Sequence, residues 1–118
     1  MLNLSPAQLK RYIISAQERD RDRLVKLEER RRSALTLANQ AANRLKKEFG
    51  ATQVILFGSL LTETFHETSD IDLAVIGLPE EKYFQAVGRL LNLGNFDLVE
   101  VQNARPEIAE AISQGEIL

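Results

Sequence analysis

Between Pro6 and Gly50 the chain carries neither proline nor glycine. The residues that open this stretch, Ser5-Pro6-Ala7-Gln8, read as a helix start. Ser5 can cap, Pro6 fits the first helical position and Gln8 completes a capping box. Gly50 reads as the C-terminal stop. Between them apolar residues recur at helical spacing: Leu9, Tyr12, Ile13, Ala16, Leu24, Leu27, Leu35, Ala38, Ala41, Leu45 and Phe49. A single helix of this length would extend about 65 Å, more than a 118-residue chain can cover with one globule. Either the helix breaks near residues 18–23, where the apolar stripe thins, or its N-terminal half packs on another chain. Residues 1–33 are therefore set apart as a helical arm and residues 34–118 as the domain. A partner or self-association role for residues 5–30 stands against a frayed, solvated arm, because an unpacked charged helix is only marginally stable.

Charge separates the same two regions. Residues 1–50 hold 12 Lys/Arg against 6 Asp/Glu, and residues 51–118 hold 3 against 11. The second half thus has the character of a cation-binding body. The basic half interleaves its charges, as in Glu18-Arg19-Asp20-Arg21-Asp22-Arg23. That pattern marks a solvated helix face with i,i+4 pairs rather than a nucleic-acid surface. No apolar run approaches the roughly 20 residues of a membrane span, and Met1 to Pro6 lack the regions of a signal peptide. Without cysteine there is neither a disulfide framework nor a thiolate metal site. A cytoplasmic location is the simplest reading.

After Gly50 the pattern shortens. Thr52 to Phe57 is β-branched and aromatic-rich and ends at Gly58, as a buried strand does. Ser59 to Thr64 could form a short helix, and His66 to Ser69 is loop-like. Ile71 to Ile76 reads as a second strand. Glu80 to Leu91 reads as a helix with Tyr83, Phe84, Val87, Leu90 and Leu91 on one face. Phe96 to Val101 is a third strand, and Pro106 to Ser113 a last helix with Ile108, Ala109 and Ile112 inward. The fold class is α+β: a small mixed sheet backed by helices, with a long N-terminal helical arm.

Three carboxylates carry the chemistry. Asp70 and Asp72 are two residues apart, so on a strand they point to the same side. Asp97 lies between Phe96 and Leu98 in another strand, which could bring it beside them. Glu100 is an odd number of residues from Asp97 and faces the other way. Gly58 permits a tight turn and close approach of a phosphate to the backbone. Ser59 would offer its N–H and hydroxyl at a helix N-terminus, which favours anions. Phosphate and clustered acids share a site when divalent cations lie between them. The constellation reads as metal-dependent phosphoryl or nucleotidyl transfer.

Gly58-Ser59, ten intervening residues and Asp70-x-Asp72 resemble the Gly-Ser-x10-Asp-x-Asp signature of the DNA polymerase β-like nucleotidyltransferase superfamily. The lead-in Val54-Ile55-Leu56-Phe57 and the run Ser69-Asp70-Ile71-Asp72-Leu73 also fit, and Phe96-Asp97-Leu98-Val99 resembles its third-acid strand. The ending Ile108 to Leu118 is similar to the minimal nucleotidyltransferases (MNT). The resemblance covers about residues 34–118 and leaves the arm outside. It implies two Mg²⁺ ions held by Asp70, Asp72 and Asp97, and a nucleoside triphosphate, usually ATP, held by Gly58 and Ser59. It implies attack on the α-phosphorus with pyrophosphate leaving, Asp97 helping to activate the attacking hydroxyl.

Minimal nucleotidyltransferases are often the antitoxin half of a module with a HEPN ribonuclease toxin, and transfer AMP to a tyrosine of that toxin. The resemblance therefore implies an enzymatic antitoxin. Two readings stand beside it: a binding-only antitoxin, and a transferase acting on a small hydroxylated molecule, a chemistry that usually needs an additional domain. One departure bears on this. Many such proteins follow Gly-Ser with a basic residue and Ala-Arg-Gly, whereas this chain has Leu60-Leu61-Thr62-Glu63. Lys82, Arg89 and Arg105 are the cations that could substitute, and His66 reads as an exposed loop residue.

Overall fold

The computed structural model describes residues 3–62, 65 and 69–118. Helix α1 runs unbroken from Pro6 to Lys47, 42 residues. The capping box forms as the sequence implies: the Gln8 amide donates to Ser5 Oγ (3.2 Å) and the Ser5 amide to Gln8 Oε1 (2.9 Å). No break occurs at residues 18–23, where nothing removes a helical hydrogen bond and Arg23 pairs with Asp20 at 3.4 Å on the surface. Past Lys47 the chain reverses at Gly50, whose φ of 77° is the left-handed conformation glycine adopts freely. The buried residues of α1 are Ala34, Ala38, Ala41, Ala42 and Leu45. At about 100° per residue, Leu9, Ile13, Ala16, Leu24 and Leu27 fall on the same side of the helix. The molecule is accordingly elongated, 68 × 28 × 20 Å.

The body is a four-stranded mixed sheet: β1 (Gln53–Phe57), β2 (Ile71–Ile76), β3 (Phe96–Glu100) and β4 (Glu116–Ile117), in the order β3-β2-β1-β4. β1 pairs antiparallel with β2 and β4, and β2 pairs parallel with β3. β4 is too short to announce itself in sequence. It is held by pairing to Ile55 and Leu56, and by a Leu118 amide that donates to the Val54 carbonyl at 2.9 Å.

Alternation sorts the strand residues onto two faces. Val54, Leu56, Ile71, Leu73, Val75 and Leu98 pack with the alanines of α1 into the main core. Small residues on α1 let the helix approach the sheet closely. Helix α2 (Tyr83–Leu91), preceded by a 3-10 turn at Glu80–Lys82, covers the same core through Ala86 and Leu90. The Tyr83 hydroxyl donates to the Leu98 carbonyl at 2.8 Å and ties α2 to β3. Phe84 and Leu91, expected inward, are 84% and 59% exposed. They are seven positions apart on a stripe turned about 100° from Tyr83, and the sheet is narrow enough for only one stripe.

On the opposite face, helix α3 (Pro106–Ser113) covers Phe57 and Ala74 with Ile112, while Ile108 and Ala111 pack at the margin. Ala109, expected inward, is exposed because Ala111 takes that side. Among the described residues, no helix is long and apolar enough to cross a membrane.

Candidate functional site

The acids gather where β2 and β3 begin. Asp72 is the Cα partner of Phe57 across the antiparallel ladder and of Asp97 across the parallel one. Because Ile71 and Leu73 turn into the main core, Asp72 points to the α3 face, half-buried. Asp97 lies on that same face by alternation from the buried Leu98, and is exposed rather than enclosed between its apolar neighbours. Asp70 precedes the strand and is also exposed. Glu100 sits at the other end of β3 opposite Val75, and accepts from Gln102 Nε2 at 2.9 Å.

The turn after β1 meets Asp72 directly. Gly58 has φ 82°, and a β-carbon there would lie 2.2 Å from Asp72 Oδ2. Glycine is therefore demanded twice, by the backbone conformation and by the carboxylate against it. The following segment is a four-residue 3-10 turn, Gly58–Leu61, and not the helix expected from Ser59 onward, because Thr62 is already extended. The rest of that expected helix, residues 63 and 64, lies outside the described residues. Thr62 closes it, its amide and its hydroxyl each donating to the Ser59 carbonyl at 3.0 Å. So short a turn sums too few peptide dipoles for a macrodipole argument. Ser59 can offer an anion only individual donors.

Leu60 is buried (2% exposed) and Leu61 packs on the main core. The two residues that stand in place of a phosphate-gripping cation are thus structural. Of the cations named as substitutes, Arg89 pairs with Glu48 of α1's end at 3.7 Å, and Arg105 is the exposed residue that precedes α3. Lys82 ends the 3-10 turn before α2. A cation that spacing did not single out is Arg31. Its guanidinium donates to the Thr62 carbonyl and so links α1 to the Gly-Ser turn. The available signal was a charge on the apolar stripe, between Leu27 and Ala34. His66 and Glu63 lie outside the described residues.

Electrostatics single out Asp72. Burial, then the Asp97 carboxylate, then that of Asp70, push its carboxyl up from 3.8 to about 6. The acids feel one another, yet no group of three His, Cys, Asp or Glu side chains among the described residues stands close enough to hold a metal ion. Burial, helped by Glu100 and Asp97, also raises the Tyr83 phenol and keeps it a hydrogen-bond donor to Leu98.

The arrangement offers oxygen donors of the hard type that divalent cations prefer, set against a half-buried glycine turn. No curated protein matches the chain. Residues 39–118 match the family model described as Polymerase beta, Nucleotidyltransferase, and the chain belongs to that family.

Proposed function

We propose that the protein is a Mg²⁺-dependent nucleotidyltransferase that moves AMP from ATP onto a tyrosine hydroxyl of a HEPN ribonuclease toxin, and so acts as its antitoxin. The observation that carries the chemistry is the seating of Asp72 between Gly58 and Asp97. Nucleotidyl transfer joins an acceptor oxygen to the α-phosphorus and breaks the bond to the bridging oxygen, pyrophosphate leaving with the electron pair.

The donor chemistry suits the implied ions, carboxylate oxygens being the hard ligands that Mg²⁺ takes, although the three side chains do not close to a ligand cluster in this arrangement. Burial, then the carboxylates of Asp97 and Asp70, make Asp72 resist ionisation, and a cation bound among them would offset that. Asp70, Asp72 and Asp97 would hold Mg²⁺, which would supply neutralisation of the charge developing on the phosphoryl group. The space beside Gly58 is taken by the Asp72 carboxylate, so the Ser59 N–H and hydroxyl are the donors the turn would offer a phosphate. Asp97, exposed at the start of β3, would take the acceptor's proton. Exposure of both outer acids suits an acceptor presented by a macromolecule.

A second reading has its own observation. With Leu60 and Leu61 committed to the core, the turn carries no cation of its own, which favours neutralisation of the toxin by binding alone. Transfer of label from α-labelled ATP to the co-purified partner in the presence of Mg²⁺ separates the two. Loss of transfer in Asp72→Asn supports the enzyme. Persistence of neutralisation in Asp70→Asn/Asp72→Asn, with no label moved by the wild type, supports the binder.

A further inference from the structure

The arm leaves an apolar stripe uncovered. Leu9 is 49% exposed, Tyr12 63%, Ile13 49% and Leu24 60%, on the side of α1 that the sheet buries farther along. We infer that this stripe is the interface of an antiparallel dimer, in which the arm of a second copy of this chain lies along it.

Three observations select that occupant. The first is register. The apolar residues fall in two groups, Leu9 to Ala16 and Leu24 to Leu27, with a polar stretch between. One antiparallel alignment sets Leu9 against Leu27 of a second copy, Tyr12 against Leu24 and Ala16 against Asp20. By two-fold symmetry each pair occurs twice.

The second is shape. A groove of about 540 Å³ opens where the arm leaves the body, lined by Leu24, Leu27, Glu28, Arg31 and Phe65. In the same alignment Leu9 of the second copy lies over its apolar floor, Leu27 and Phe65.

The third is charge. Residues 6–16 carry Lys10 and Arg11 and no acid. Lys10 falls on the flank that faces Glu28 of the second copy, at the groove's rim. Glu28 is solvent-exposed and pairs with Arg32 of its own helix at 3.6 Å, and a carboxylate with two oxygens can take a second cation. The parallel alternative would stack Arg19 and Arg23 on themselves. It would also set side by side two bodies that each hold 11 Asp/Glu against 3 Lys/Arg in residues 51–118. The antiparallel pair puts the bodies at opposite ends of the shared helices and leaves both acid sites open.

The chain has no cysteine, which makes a direct test clean. In the full-length protein, Tyr12→Cys/Leu24→Cys should form a disulfide-linked dimer on mild oxidation, while Tyr12→Cys alone should not. Sedimentation of the wild type should show a dimer whose dissociation constant rises about tenfold or more in Leu9→Asp. Lys10→Glu and Glu28→Lys should each weaken it, and the double charge reversal should restore it. A monomer at every concentration overturns the inference, as does cross-linking of Tyr12→Cys alone, which reports a parallel pair. Capture of a different protein by a monomeric chain overturns it too.

Discussion

The carboxylate of Asp72 occupies the space that a side chain on Gly58 would need: Oδ2 lies 2.2 Å from the position of that absent β-carbon. The residue that closes β1 and the central acid of β2 are therefore interdependent. Gly58→Ala must accommodate a φ of 82°, worth about 1–2 kcal/mol for an L-residue, and must also displace Asp72. Denaturant unfolding should show a loss larger than the backbone cost alone. Adding Asp72→Ala should recover the excess and leave the backbone part. Equal stability of the single and double variants would mean that the two residues do not press on each other.

Asp72 also sets a pH dependence of the metal-free protein. Its carboxyl is raised from 3.8 to about 6, so between those values the native state keeps a proton that the unfolded chain has released. Stability then falls as pH rises through that window and is level above it. Asp72→Asn removes the effect. The variant should be more stable than wild type at about pH 8, by some ~1–2 kcal/mol once solvent screening of a half-buried group is allowed for. The difference should vanish below about pH 4. Magnesium should raise the wild-type melting temperature above the window and leave the Asn variant unmoved. Parallel pH profiles for the two proteins would refute this.

The parts of the fold that could be read from sequence are those with local punctuation. β2 at Ile71–Ile76 and α3 at Pro106–Ser113 fall where glycine, proline and alternation place them. The capping box at Ser5 and Gln8 is equally local. What was not legible depends on neighbours far along the chain. β4 exists because Gly115 passes close to the Leu56 carbonyl, where a β-carbon would come within 2.5 Å. Phe84 faces solvent because α2 has one stripe of sheet to cover. At the site, spacing aligned Asp70 with Asp72 and nominated Asp97 as a neighbour. The pairing of Asp72 with Asp97 and its contact with Gly58 are consequences of strand register, which spacing does not encode. The burial of Leu60 and the reach of Arg31 to Thr62 have the same origin.

Arg31 offers a test of how the Gly-Ser turn is held. Its guanidinium is a long-range donor to the Thr62 carbonyl, and Thr62 in turn closes the turn through Ser59. Arg31→Ala should leave the global unfolding midpoint nearly unchanged, because the bond is at the surface. Local opening should become easier by about 1 kcal/mol. Hydrogen exchange at the Thr62 amide should therefore speed up several-fold, while exchange in β2 stays at the wild-type rate. Acceleration spread evenly over the sheet would assign Arg31 to general stability instead.

Leu24 and Leu45 share one face of α1 in two environments, which turns the helix into its own control. Leu45 is fully buried, against the sheet, and Leu45→Ala leaves a cavity that neighbours on a rigid sheet cannot close. It should cost about 2–5 kcal/mol. Leu24 is 60% exposed in the isolated chain, so at high dilution Leu24→Ala should change stability by no more than about 0.5 kcal/mol. The two costs should be measured at several protein concentrations. That of Leu45→Ala should stay constant. That of Leu24→Ala should grow as concentration rises, because a residue at an interface contributes only when the partner is present.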